Sequence, residues 1–311
     1  MANSERTYQF KALTDLWTGD LNGKSGRLIS TGLLGSIRWW FEVLVRGLGG
    51  NACDPTDIKC EDRNHCVVCE LFGCTGWARK FRFEVLDENS GTKTAQIKQT
   101  QTFSLCFTPL RPIRVEEWTI LDATLRLIAD YGAIGGKTVF KPTDEPSRAG
   151  KRHHKDYGLV RMVSSRQLAE TRRDDLEKYL SKWRKLNHSE FAWASLEHFW
   201  CVKGKYLARQ NGNSSAFNCV IGRPEPKQQS GQNDSWIAGR RPDRRNNVEA
   251  ESKKIFSFKN PARTFGFVKP GLIAFDDMRE RLAGAWGQNG WDFLTGDKIM
   301  KQLFTGKEDR S

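Results

Sequence analysis

Apolar and polar positions recur in two rhythms along the first half of the chain. TYQFKALTDL sets Tyr8, Phe10 and Ala12 against Gln9 and Lys11, the two-residue period of a half-buried strand. A polar, glycine-bearing loop, WTGDLNGKSG, follows. In STGLLGSIRWWFEVLVRGLGG the period becomes helical. Leu33, Ile37, Trp40, Phe41, Leu44 and Leu48 share a face, Ser30 or Thr31 offers an N-cap, and Gly49 or Gly50 a stop. Arg38, Glu42 and Arg46 recur at i, i+4 on the opposite face, where they can pair. Trp39 lies off the apolar stripe and implies contact with a second domain or a partner.

KFRFEVL and QTFSLCFT alternate as strands, the second with Phe103, Leu105 and Phe107 on one side. VEEWTILDATLRLIADY predicts a helix, with Trp118, Leu121, Leu125 and Ile128 at helical spacing and a stop at Gly132. After the loop GAIGGKT and a polar stretch, YGLVRMV reads as a fourth strand. Strand, helix, strand, strand, helix, strand is the ferredoxin-like order, an α+β fold, predicted for residues 1–165 with a cysteine-rich insertion at 51–75. Residues 166–311 predict a helical region and a second, degenerate ferredoxin-like domain. RQLAETRRDDLEKYLSKWRKL, SEFAWASLEHFWCVKGKYL and FDDMRERLAGAW read as helices, and AFNCVIG, KIFSFK and RTFGFV as short strands. A polar, Arg-rich exposed loop is expected near residues 227–254.

Composition narrows the function. Fifty Lys and Arg against 37 Asp and Glu leave a net charge of +13 over 311 residues, which favours a polyanionic partner, nucleic acid first. Eleven Trp and 18 Phe offer flat faces to unpaired bases, although most belong in cores. No apolar run approaches the roughly 20 residues of a membrane span, and the amino terminus lacks the layout of a secretory signal. A cytoplasmic protein is expected, where cysteines rarely pair.

Five of the eight cysteines fall between residues 53 and 74. Cys53, Cys60, Cys66 and Cys69 are spaced C-x6-C-x5-C-x2-C, a set of four thiolates suited to tetrahedral zinc. A redox C-x-x-C needs no other cysteines nearby, and disulfides need an oxidising compartment. The intervening DPTDIK and EDRNH are too polar to build a core, so a structural zinc with no open position is the expectation. His65 is a candidate to replace one thiolate, and Cys74 stands outside the set.

Together, the helix segment Thr31–Trp40 and the segment LFGCT, Leu71–Thr75, resemble the RAMP superfamily of CRISPR proteins, most of all the large RAMP subunits of the type III-B Cmr module. The resemblance covers about the first 165 residues. It implies a subunit that caps the end of the complex holding the 3′ portion of the guide, contacts CRISPR RNA and target RNA, and abuts other RAMP subunits. It places the glycine-rich loop, with Gly132, Gly135, Gly136 and Lys137, near RNA; on residues alone GAIGGKT is a helix C-cap and turn. Arg38, which matches the family helix, either reaches phosphate or braces the fold through Glu42. Lys24 and Arg27 enter that helix, where N–H groups favour an anion. Arg79 and Lys80 follow the cysteine insertion, and Trp77 either stacks on a base or fills a gap beneath it.

The rival class is RNA cleavage. RHHKDYG supplies His153, His154, Lys155 and Tyr157 for acid–base work, and Asp20 sits in the loop where a related backbone subunit carries its cleaving aspartate. The polar setting of the first and the turn setting of the second argue against both. A generic zinc-ribbon binder explains charge and cysteines but not the paired motifs. A non-catalytic RNA-binding subunit is the reading adopted.

Overall fold

The computed structural model describes residues 4–20, 24–53, 60–136, 142–165, 171–185, 191–210, 216–222, 235–240, 242 and 249–304. The chain divides into two compact units, one of Met1–Lys137, Tyr157–Glu197 and Gly296–Ser311, the other of Thr138–Asp156 and His198–Thr295.

The first unit holds β1 (Arg6–Ala12), α1 (Ser30–Gly47), α2 (Val67–Phe72), β2 (Phe81–Leu86), β3 (Thr102–Pro109), α3 (Val115–Asp130), β4 (Val160–Ser165) and α4 (Arg173–Leu180). Its sheet runs β2-β3-β1-β4 with every neighbour antiparallel, the ferredoxin-like arrangement. The strand alternation reads out as expected: Tyr8, Phe10, Phe103, Leu105 and Phe107 are all buried. A chain of rings fastens helix to sheet. Phe41 of α1 meets Phe72 of α2 at 5.2 Å, Phe72 meets Phe81 at 5.6 Å, Phe81 meets Phe107 at 5.1 Å, and Phe107 meets Tyr8 at 5.9 Å. The Tyr8 hydroxyl then bonds the fully buried Asp122 of α3, which also takes Arg6 Nη1 at 3.0 Å.

Helix α1 departs from its sequence pattern at both margins. Neither Ser30 nor Thr31 caps it; Ile29 is the N-cap, and its N–H is taken by Thr18 Oγ1 at 2.9 Å. At the other end Gly49 and Gly50 donate back to Arg46 and Val45, closing the helix where the glycines predicted. Glu42 is buried rather than facing solvent, because α2 and the cysteines cover that side of the helix.

The second unit repeats the plan. β5 (Phe199–Lys203), α5 (Ala216–Val220), α6 (Ser235–Ala238), β6 (Ile255–Lys259), β7 (Ala262–Phe267), α7 (Phe275–Trp286) and β8 (Leu294–Thr295) give a sheet ordered β6-β7-β5-β8, again antiparallel throughout. Second, third, first, fourth is the strand order of the first unit, so this too is ferredoxin-like. Three expectations are corrected here, the first being the exposed loop near residues 227–254: Ser235–Ala238 within it form α6, with Trp236 and Ile237 buried. FWCVK is a strand, not helix: Phe199, Trp200, Cys201 and Val202 are buried on both faces and therefore show no alternation. AFNCV is a short helix, not a strand. A last helix, α8 (Gly296–Phe304), belongs to the first unit and was not foreseen.

Phe107 lies at the junction of three rings and is fully buried. Phe107→Ala should cost about 3–5 kcal/mol, measured by denaturant unfolding of the full chain; a loss under about 1 kcal/mol would contradict this packing.

A candidate metal centre and its surroundings

Cys53 leaves α1 by a short loop, Cys66 is the N-cap of α2, and Cys69 lies within α2. With Cys60 they place four buried sulfurs within 4.8 Å of one another. Cys53 Sγ and Cys69 Sγ are 3.4 Å apart, and the Cys66 N–H points at Cys60 Sγ at 3.2 Å. A tetrahedron built on zinc–thiolate bonds of about 2.3 Å has edges near 3.8 Å, so the sulfurs stand close to the spacing such an ion requires. The four cysteines can hold a metal ion, and their softness suits a thiophilic divalent cation. Cys74 is half-buried and outside the group.

His65 does not join the sulfurs. Its Nδ1–H donates to the Asp62 carbonyl, and Nε2 meets Glu70 Oε2 at 2.7 Å, so both ring nitrogens are engaged elsewhere. Glu70 opens a buried series of charges. Lys80 Nζ lies 2.6 Å from Glu70 and 2.8 and 3.0 Å from the two oxygens of Glu117, and the Tyr179 hydroxyl donates to Glu117 at 2.9 Å. Glu117 also caps α3, taking the Arg114 N–H at 2.8 Å. Burial works against the Glu70 carboxylate, but bonds from Lys80 and His65 outweigh it and hold its pKa below the ordinary value. Burial and then the Glu117 charge push the Tyr179 phenol up.

The residues expected to meet RNA are thereby sorted. Lys80 is 5% exposed and spends its charge on two carboxylates, which corrects its reading as an RNA contact. Arg38 points at the cysteines: Nη1 donates to the Gly73 carbonyl at 2.9 Å, Nη2 to Cys69 Sγ at 3.2 Å, and Nε to Glu42 at 3.1 Å. Trp77 is half-buried, with the His65 ring 4.6 Å away and the Arg111 guanidinium 4.4 Å over its ring. Gly135 has φ +116, and a Cβ there would stand 2.7 Å from the Trp17 carbonyl, so glycine is required. Its N–H goes to Ser36 and that of Gly136 to the Trp17 carbonyl at 2.9 Å, which corrects their reading as donors to phosphate. Lys137 lies outside the described residues. Lys24 and Arg27 are exposed and Arg79 half-exposed.

Among the residues weighed for catalysis, Asp20 is a turn residue whose carboxylate takes the Lys24 N–H at 2.8 Å. Tyr157 is buried with its ring edge-on to Trp17 at 5.2 Å. His153 and Lys155 are exposed, and the His153 and His154 rings lie 4.3 Å apart on a short 3-10 turn. Sequence reasoning missed Arg111, Glu70, Glu117 and Tyr179. The only local signal was Glu117 in the first turn of a predicted helix, where an acid reads as a cap.

Residues 9–140 match the family model described as RAMP superfamily. No curated protein matches the chain in sequence. The fold is similar to the apo crystal structure of Cmr1 from Pyrococcus furiosus, at 9% identity and TM-score 0.47 over 94% of this chain and 99% of that one. It is also similar to a chain of the type III-B Cmr-beta complex bound to cognate target RNA and AMPPnP in the presence of ssDNA, at 10% identity and TM-score 0.48 over 96% and 99%. A chain of the Csm3–Csm4 subcomplex of a type III-A interference complex matches at 13% identity and TM-score 0.28, over 60% and 100%. Among the described residues, no helix is long and apolar enough to cross a membrane.

Lys80→Met leaves the fully buried Glu117 carboxylate without its cation, and should destabilise the chain by about 3–5 kcal/mol in denaturant unfolding. A loss under about 1 kcal/mol would contradict this buried pairing.

Proposed function

From the match of residues 9–140 to the RAMP superfamily model we propose that the chain is a RAMP protein, a non-catalytic RNA-binding subunit of a type III-B CRISPR effector. It caps the end of the complex that holds the 3′ portion of the guide, and assists target capture beside other RAMP subunits in the cytoplasm. The observation that carries this reading is the family match over residues 9–140, which spans both halves of the Thr31–Trp40 and Leu71–Thr75 motif. The net charge of +13 agrees with a polyanionic partner. Its RNA contacts are Lys24, Arg27, Arg79 and Lys137, phosphate-directed side chains rather than base readers, since pairing between guide and target supplies the sequence specificity.

The four cysteines hold one structural zinc. All four positions of the ion are thiolate, so none is open to an activated water. Its part is to organise a polar stretch that cannot build its own core and to seat α2 against α1. Cleavage is the rival reading. It draws no support from Asp20, whose carboxylate serves a turn, or from Tyr157, which is buried against Trp17.

Purified protein and end-labelled single-stranded RNA carrying a CRISPR-repeat tag, titrated across a salt series, test the proposal. Binding should weaken steeply with salt and no cut product should appear, with divalent metal or with chelator. Replacing Lys24, Arg27 and Arg79 together by Ala should lower the slope of log K against log salt by about 2. Defined cleavage lost in Asp20→Ala or His153→Ala would make the chain a nuclease instead. Separately, elemental analysis should find one zinc per chain, and stripping it should lower the melting temperature.

A further inference from the structure

Four thiolates around a divalent cation sum to two negative charges, and here those sulfurs are buried. Such charge is retained only where cations and N–H donors compensate it at short range. Arg38 of α1 is placed for this. Its Nη2 lies 3.2 Å from Cys69 Sγ and 3.9 Å from Cys53 Sγ, while Nη1 is anchored on the Gly73 carbonyl at 2.9 Å. Glu42 accepts from Nε at 3.1 Å but is shared with Arg46 at 3.9 Å, so the guanidinium is not neutralised by it alone. Gly73 holds φ +86 immediately after α2, which turns its carbonyl toward Arg38 at the end of the helix that carries Cys69.

We propose that Arg38 is the charge-balancing donor to a thiolate-bound divalent metal at Cys53, Cys60, Cys66 and Cys69. It ties that centre to α1 and sets how firmly the metal is held. This rests on the zinc reading above. All three guanidinium nitrogens are engaged inside the protein, so the arginine of the helix motif serves the metal centre rather than RNA. An outer-shell partner of this kind governs metal affinity by about 10–100-fold.

The test uses the full chain and begins with metal content: a parent protein that purifies and reconstitutes without zinc sinks the zinc reading itself. With zinc present, release to a competing chelator is timed in Arg38→Gln and Arg38→Lys. Gln should release about 10–100-fold faster, and Lys, which keeps the charge but loses the fork, should fall between. Unchanged release in Arg38→Gln overturns the proposal. Because that variant risks misfolding, the parent is also loaded with 113Cd and examined by NMR. Scalar coupling between the metal nucleus and a guanidinium proton of Arg38 passes only through an N–H···S–Cd bond and should be seen. Its absence overturns the proposal even if the variants release metal quickly, since they would then act by loosening the fold.

Discussion

A charge taken out of water must meet its opposite within a few ångströms, and besides the Arg6–Asp122 pair the first unit has two places where this happens side by side. In one, Arg38 faces the buried sulfurs of Cys69 and Cys53. In the other, Lys80 lies between Glu70 and Glu117. Helix α2 belongs to both, since Cys69 and Glu70 are neighbours on it. One short helix therefore connects the cysteine cluster to α1 through Arg38, and to α3 through Lys80 and Glu117. These pairings add to the buried apolar surface of Val67, Val68, Leu71 and Phe72, which α2 itself supplies.

The arrangement gives a physical reason for the two motif segments to occur together. Thr31–Trp40 supplies Arg38, and Leu71–Thr75 supplies the Gly73 carbonyl that receives it at 2.9 Å. Phe41, just past the first segment, meets Phe72 of the second at 5.2 Å. The motif is one packing unit divided by thirty residues of chain. Arg38 and Ser36, polar members of the motif, are engaged within the fold, while at its margins Lys24 and Arg27 are exposed and Arg79 partly so.

The two sheets show how one strand plan tolerates different fillings. The first alternates apolar and polar residues along β1 and β3, and keeps polar residues such as Gln9 and Ser104 opposite each other on its other face. In the second, β5 is buried on both faces, with Trp200 stacked on Phe293 at 5.5 Å. The strand order is the same in both.

The sequence by itself determined the first unit's elements, because two-residue and helical periods depend only on near neighbours. Strands at Tyr8, Phe83 and Phe103 and helices around Trp40 and Trp118 stand where the periodicity put them. It also marked the four cysteines, since their chemistry is legible from residue type and spacing. Tertiary structure alone decided what the charged and aromatic residues do. Lys80 and Arg79 are adjacent and alike in sequence, yet one is buried between carboxylates and the other is not. Glu117, which pairs with Lys80, and Tyr179, which donates to Glu117, lie far along the chain and carry no local sign of the pairing. The same holds for β5, whose double-sided burial erased the alternation that identifies a strand. Periodicity reports which way a side chain faces; only the assembled fold decides whether water or a counter-charge stands there.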